Sequence, residues 1–83
     1  MFTGTQATNT HPTLALGSRG EDVEYLQRRL NFLISASLEV DGRFGPATEK
    51  AVKKFQESSG FLDDEIDGIV GPQTWRELEL IDV

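Results

Sequence analysis

The 83-residue sequence contains no cysteine, and its one histidine, His11, stands near the beginning. Disulfides and thiolate metal sites are thereby excluded, and a Ser-His-Asp triad or a protein-only zinc site lacks its parts. No segment approaches the length of a membrane-spanning helix, and no basic region followed by an apolar stretch opens the chain. A soluble chain without an address is the expectation, although a piece of a longer secreted protein would read the same way. Residues 1–13 lack apolar periodicity and read as a flexible tail, leaving residues 14–83 as one small domain.

Positive charge is also scarce: eight Lys and Arg stand against fourteen Asp and Glu, a net charge of −6. Nucleic acid is not an expected partner, because phosphate binding needs clustered cations. The excess acid is local. Residues 1–60 hold seven acidic and seven basic side chains, whereas residues 61–83 hold seven acidic and only Arg76. An anionic polymer is therefore expected to approach the first two helices.

What the chain does have is one unit written twice. Ile66-Asp67-Gly68-Ile69-Val70-Gly71-Pro72-Gln73-Thr74 repeats Val40-Asp41-Gly42-Arg43-Phe44-Gly45-Pro46-Ala47-Thr48 at an offset of 26. Upstream, Val52, Phe55 and Gln56 repeat Val23, Leu26 and Gln27 at an offset of 29. The difference falls in the connections, which absorb insertions that packed helices do not.

Three helices follow from the pattern. Val23, Leu26, Leu30 and Leu33 lie on one face of a helix ending near Leu33 or Ile34, with a capping box read at Ser18-Arg19-Gly20-Glu21. Gly45-Pro46 opens a second helix with Ala51, Val52 and Phe55 inward, Lys50, Lys53, Lys54 and Glu57 outward, and Gly60 as its left-handed stop. Gly71-Pro72 opens a short third helix that turns Trp75 and Leu78 inward. The fold class is all-α, a three-helix bundle with an internal helix-loop pseudo-repeat.

Between helices, each Asp-Gly is a turn signal: Asp can accept from downstream backbone amides, and Gly tolerates positive φ. Gln27 and Gln56 are read as amides that fix these turns against the helices, and Thr48 and Thr74 as local caps. A hydrolase built on Asp41 and Asp67 ranks last, since no nucleophile, metal or partner accompanies the carboxylates. Asp63-Asp64-Glu65 with Asp67-Gly68 imitates the opening of a calcium loop but has Thr74 where an acid is needed, and is read as a solvated charge run. No catalytic residue, metal or cofactor is assigned.

Three motifs taken together resemble the peptidoglycan-binding domain family. They are Leu16-Gly17-Ser18-Arg19-Gly20-Glu21-Asp22-Val23 with Leu26-Gln27 and Leu30-Asn31; Val40-Asp41-Gly42 through Phe44-Gly45-Pro46, Thr48, Ala51-Val52 and Phe55-Gln56; and Ile66-Asp67-Gly68-Ile69-Val70-Gly71-Pro72 with Thr74-Trp75. The match covers residues 14 to 80 in order. The resemblance implies a closed three-helix bundle that is non-catalytic; a monomer with no membrane partner is the accompanying expectation. It further implies that the bundle binds peptidoglycan in the cell envelope or outside the cell and tethers a wall hydrolase or amidase. The same fold resembles the pro-segment of matrix metalloproteinases, so a structural or protein-interaction role is the alternative. The chain departs from the family where Gly-Tyr commonly follows the first helix: here Leu33-Ile34-Ser35-Ala36-Ser37 stands instead.

Two surfaces are candidates for the ligand. At 100° per residue, Tyr25 and Phe32 fall away from the core face of the first helix with Arg28 and Arg29 between them, an aromatic and basic strip suited to sugar rings and stem carboxylates; the alternative is that Phe2 or another part of the tail covers it, or that Phe32 turns into the corner between the first two helices. The second is a cleft at the repeated turns offering Asp41, Arg43, Phe44 and the amides near Gly45, with Trp75 as a possible groove wall.

Overall fold

A computed structural model describes residues 11–80 of the chain. Helix α1 spans Glu21–Ile34, α2 spans Pro46–Ser58 and α3 spans Pro72–Leu80, with a short 3-10 turn at Asp63–Glu65. Helix α1 packs against both of the others.

The periodic apolar residues fill the interior. Val23, Leu26 and Leu30 from α1, Ala51, Val52 and Phe55 from α2, and Trp75 and Leu78 from α3 are buried, joined by Leu14, Phe44 and Val70 from the connections. Burial of each large aliphatic side chain contributes roughly 1.5–3 kcal/mol. In a bundle this small, the connections supply an appreciable part of the core.

The segment before α1 closes the bundle. Leu14 and Val70 exchange backbone hydrogen bonds (3.0 and 2.8 Å), and residues 17–20 run beside 42–44 through Gly17 N–H to Phe44 O (2.9 Å), Phe44 N–H to Ser18 O (2.9 Å) and Gly20 N–H to Gly42 O (3.0 Å). This pairing prevents the expected capping box. Residues held extended against the 42–44 turn cannot wind into a helix at Ser18, so α1 begins at Glu21 behind Gly20, whose φ is 119°. The Ser18 hydroxyl accepts from Ala15 N–H instead (3.0 Å). The acidic first turn, Glu21, Asp22 and Glu24, faces the positive end of the helix dipole.

Helix α2 starts as its sequence dictates, with Gly45 extended at the cap and Pro46 at the first helical position, where no N–H is required. It ends with Gly60 left-handed (φ 86°), Gly60 N–H bonded to Glu57 O (3.2 Å) and Phe61 N–H to Gln56 O (3.1 Å). That pair of bonds satisfies carbonyls left open by the last turn. Helix α1, without a glycine, stops by placing Ser35 in the left-handed region (φ 52°), and Ser37 follows it there (φ 58°).

His11 and Pro12, assigned to the tail by sequence, lie against α1 and α3. The His11 ring stacks on Trp75 and Tyr25 with centroids 4.1 and 5.3 Å away, and Pro12 O accepts from Trp75 Nε1–H at 2.8 Å. The buried indole needs a partner for its N–H, and the chain ahead of Leu14 provides it. Residues 1–10 of the expected tail lie outside the described residues, as do 81–83.

Candidate functional site

Two buried glutamines organise the connections. Gln27 is 1% exposed and Gln56 is fully buried, each on the core side of its helix. The Gln27 amide nitrogen lies 3.1 Å from Asp41 Oδ1, 3.0 Å from Arg43 O and 3.2 Å from Thr48 Oγ1, so its two hydrogens serve three acceptors. Its carbonyl accepts from the backbone N–H groups of Asp41 and Gly42, both at 3.0 Å. Gln56 reaches Asp67 Oδ1 (3.2 Å), Ile69 O (3.0 Å) and Thr74 Oγ1 (3.1 Å), and accepts from Gly68 N–H (3.0 Å). Thr48 and Thr74, read as local caps, are buried acceptors for these amides.

The aspartates complete each turn. Asp41 Oδ1 accepts from Arg43 N–H (2.9 Å), and Asp67 Oδ1 from Ile69 N–H (3.0 Å). Bonds from the Arg43 N–H and the Gln27 amide stabilise the charged form of Asp41 and hold its carboxyl below the ordinary carboxylate range. A carboxylate stabilised this way is a poor proton donor, and both aspartates are committed to shaping turns. In the acidic run, Glu65 Oε1 accepts from Leu62 N–H (2.9 Å), and no group of three or more side chains suited to a metal occurs among the described residues.

The proposed strip on α1 divides in two. Tyr25 turns into the α1–α3 seam, where its hydroxyl donates to Glu79 Oε2 (2.8 Å) and its ring lies nearly parallel to those of His11 and Trp75. Arg29 enters the same seam and donates to Leu78 O (2.7 Å). Phe32 is 69% exposed with the Arg29 guanidinium 5.9 Å from its centroid, and Arg28 is exposed beside Glu24 at 3.6 Å. Tyr25 and Phe32 therefore do not form one continuous aromatic surface. At Tyr25 the alternative reading holds, since His11 of the expected tail stacks on its ring and α3 packs on that flank of α1.

The cleft residues divide in the same way. Asp41 and Arg43 are exposed, whereas Phe44 and Trp75 keep 2% and 3% of their surface. Both rings are core side chains, and only an edge of Trp75 lines a pocket of about 410 Å³ with His11, Pro72 and Arg76.

Sequence reasoning missed two features. One is the cluster around His11, whose Nδ1 lies 3.2 Å from Asp22 Oδ1 and Nε2 3.4 Å from Glu79 Oε2; a lone histidine in an aperiodic segment carries no signal for it. The other is a groove of about 370 Å³ between residues 34–39 and α2, lined on the helix side by Ala47, Lys50, Ala51 and Lys54. Their spacing of three, four and seven, which places them on one face, was the available signal.

Comparison with known proteins bears on this arrangement. A profile described as "Putative peptidoglycan binding domain" matches residues 19–78, both turns and all but the last two residues of α3. The chain belongs to the putative peptidoglycan binding domain family. Within this family's reach, it is 44% identical over 80% of its length to a zinc D-Ala-D-Ala carboxypeptidase of Streptomyces albus G, of which it covers 26%. It is 40% identical over 76% of its length to a spore cortex-lytic enzyme of Halalkalibacterium halodurans, of which it covers 18%. The SleB N-terminal domain superimposes with a TM-score of 0.75 at 36% identity, over 83% of this chain and 90% of that one. The chain thus spans less than two thirds of the curated relatives it matches.

Proposed function

We propose that this chain is a non-catalytic module that binds peptidoglycan and holds an attached cell-wall hydrolase or amidase on its polymer. The family match over residues 19–78 carries the reading. It is supported by relatives named as a zinc D-Ala-D-Ala carboxypeptidase and a spore cortex-lytic enzyme, in which the matched region is a minor part of the chain. It is supported also by the chemistry of the turns: the polar residues that repeat are consumed by hydrogen bonds that set the backbone, leaving Asp41 and Asp67 without a catalytic task.

The module acts as a monomer in the cell envelope or outside the cell, and no helix among the described residues is long and apolar enough to cross a membrane. Its affinity is modest, because a shallow groove on a small domain buries little ligand, and useful retention comes from tethering. Among the residues singled out by sequence, Arg28, Phe32, Asp41 and Arg43 are exposed and able to reach a polymer, while Tyr25, Arg29, Phe44 and Trp75 support the surface from within.

Sedimentation of the isolated domain with purified peptidoglycan, with cellulose and chitin as controls, tests the reading. Retention on peptidoglycan alone is expected. Retention on none of the three would favour a protein-interaction domain, for which the 69% exposed Phe32 is the natural contact.

A further inference from the structure

The groove beside α2 has a composition that the turns do not explain. One wall is the connection from Ile34 to Glu39 and the other is the Ala47, Lys50, Ala51 and Lys54 face of α2. The connection is built rather than loose. The Asn31 carboxamide clamps it at two points, donating to Leu38 O (2.9 Å) and accepting from Leu38 N–H (2.6 Å). Ser35 and Ser37, the two non-glycine residues with positive φ among those described, are in this wall. Ser35 is left-handed as the stop of α1, whereas Ser37 takes this disfavoured conformation beyond the helix end, within the wall itself.

The charge of the groove runs against that of the chain. Within a protein of net charge −6, Lys50 and Lys54 stand one turn apart on the same helix face. Both are exposed, and neither forms an ion pair with a described residue. Lys53 differs: its aliphatic chain lies over the Gly68 turn, with Cε 3.1 Å from where a Cβ on that glycine would stand. The groove therefore offers two adjacent ammonium groups facing Glu39, among the aliphatic side chains of Ile34, Ala36, Leu38, Ala47 and Ala51, with no aromatic ring on which a sugar could stack.

We propose, on the basis of the wall-binding reading above, that this groove takes the peptide stems of the polymer. A stem carboxylate is held by Lys50 and Lys54, and alanyl side chains of the stem lie against these aliphatic side chains. The glycan strands of peptidoglycan are uncharged once their lactyl groups are in amide linkage to peptide, so free carboxylates belong to the stems. Glu39, on the opposite wall, is placed to receive an amine where the stem carries a diamino acid. Specificity in this site is for peptide and not for sugar.

The test uses peptidoglycan stripped of other anionic polymers, before and after its carboxylates are converted to neutral amides. The unmodified domain should sediment with the first and be retained about tenfold less by the second. A Lys50→Gln, Lys54→Gln variant should lose about tenfold on untreated polymer, in line with two partly exposed ion pairs. Lys53→Gln, which removes one charge from the same helix, should bind as the unmodified domain does. Circular dichroism of each variant confirms the helices. Equal binding to amidated polymer, or full retention of the double variant, would overturn the site. Equal losses for Lys53→Gln and the double variant would also overturn it, because they would reveal a diffuse field in place of a groove. Failure of the unmodified domain to sediment at all would instead remove the wall-binding reading on which the site depends.

Discussion

Gln27 and Asp41 hold each other from both ends: the glutamine carbonyl accepts the Asp41 backbone N–H at 3.0 Å, and its amide lies 3.1 Å from the Asp41 carboxylate. A buried side chain thereby stands in for the backbone pairing that the 41–43 turn cannot make for itself. Replacement by leucine keeps the volume while removing the bonds. Gln27→Leu orphans two backbone N–H groups, Asp41 and Gly42, whereas Gln56→Leu orphans one, Gly68. Urea denaturation should show both variants destabilised by about 2–4 kcal/mol, with Gln27→Leu the worse by about 1 kcal/mol.

Asp41 makes the same turn sensitive to acid. Its folded carboxyl titrates below its unfolded value of about 3.9. Its contribution to stability is therefore present above the unfolded value and is lost as pH falls through the lower folded one. In an NMR titration, the Asp41 carboxyl should have a midpoint below the usual carboxylate range. The stability difference between the protein and Asp41→Asn should be larger at pH 6 than at pH 2, and a difference independent of pH would contradict the assignment.

The seam at His11 predicts that the segment ahead of Leu14 matters to the bundle. Deleting residues 1–12 removes the ring stacked on Trp75 and leaves the indole N–H without Pro12 O. A loss of about 1–3 kcal/mol is expected, with a change in tryptophan emission. Deletion of residues 1–10 alone, which spares both contacts, should be the milder change by thermal melting.

The left-handed stop of α1 offers a change in the opposite direction. Ser35→Gly relieves a backbone conformation that glycine adopts freely, and its melting temperature should rise, by the equivalent of about 0.5–1 kcal/mol. Asn31→Ala should cost about 1–2 kcal/mol, since Leu38 N–H and O both lose their partner. The pair separates the conformation of the groove wall from its anchor.

The helices were legible because their apolar spacing and Gly-Pro starts are local facts: Val23, Leu26, Leu30, Pro46, Val52 and Phe55 stand where their periodicity puts them. The glutamine-to-turn linkage was legible because the same residues occur twice at matching distances from Asp-Gly. Ser18 was misread because its backbone is paired with Phe44, 26 residues away, and capping rules see only neighbours. Tyr25 was misread for a similar reason: a helical wheel shows where a side chain points but not which helix will cover it. The lysines of the groove were correctly placed outside, yet the opposing wall depends on two serines adopting a conformation that composition does not announce.

His11 lies 3.4 Å from Glu79, and Leu14 is bonded to Val70, so both extremities of the described chain leave from one side of the bundle. Tension applied between residues 11 and 80 would strain this junction first, before the α1–α2 packing bears any load. None of the residues at this junction lines the groove between residues 34–39 and α2.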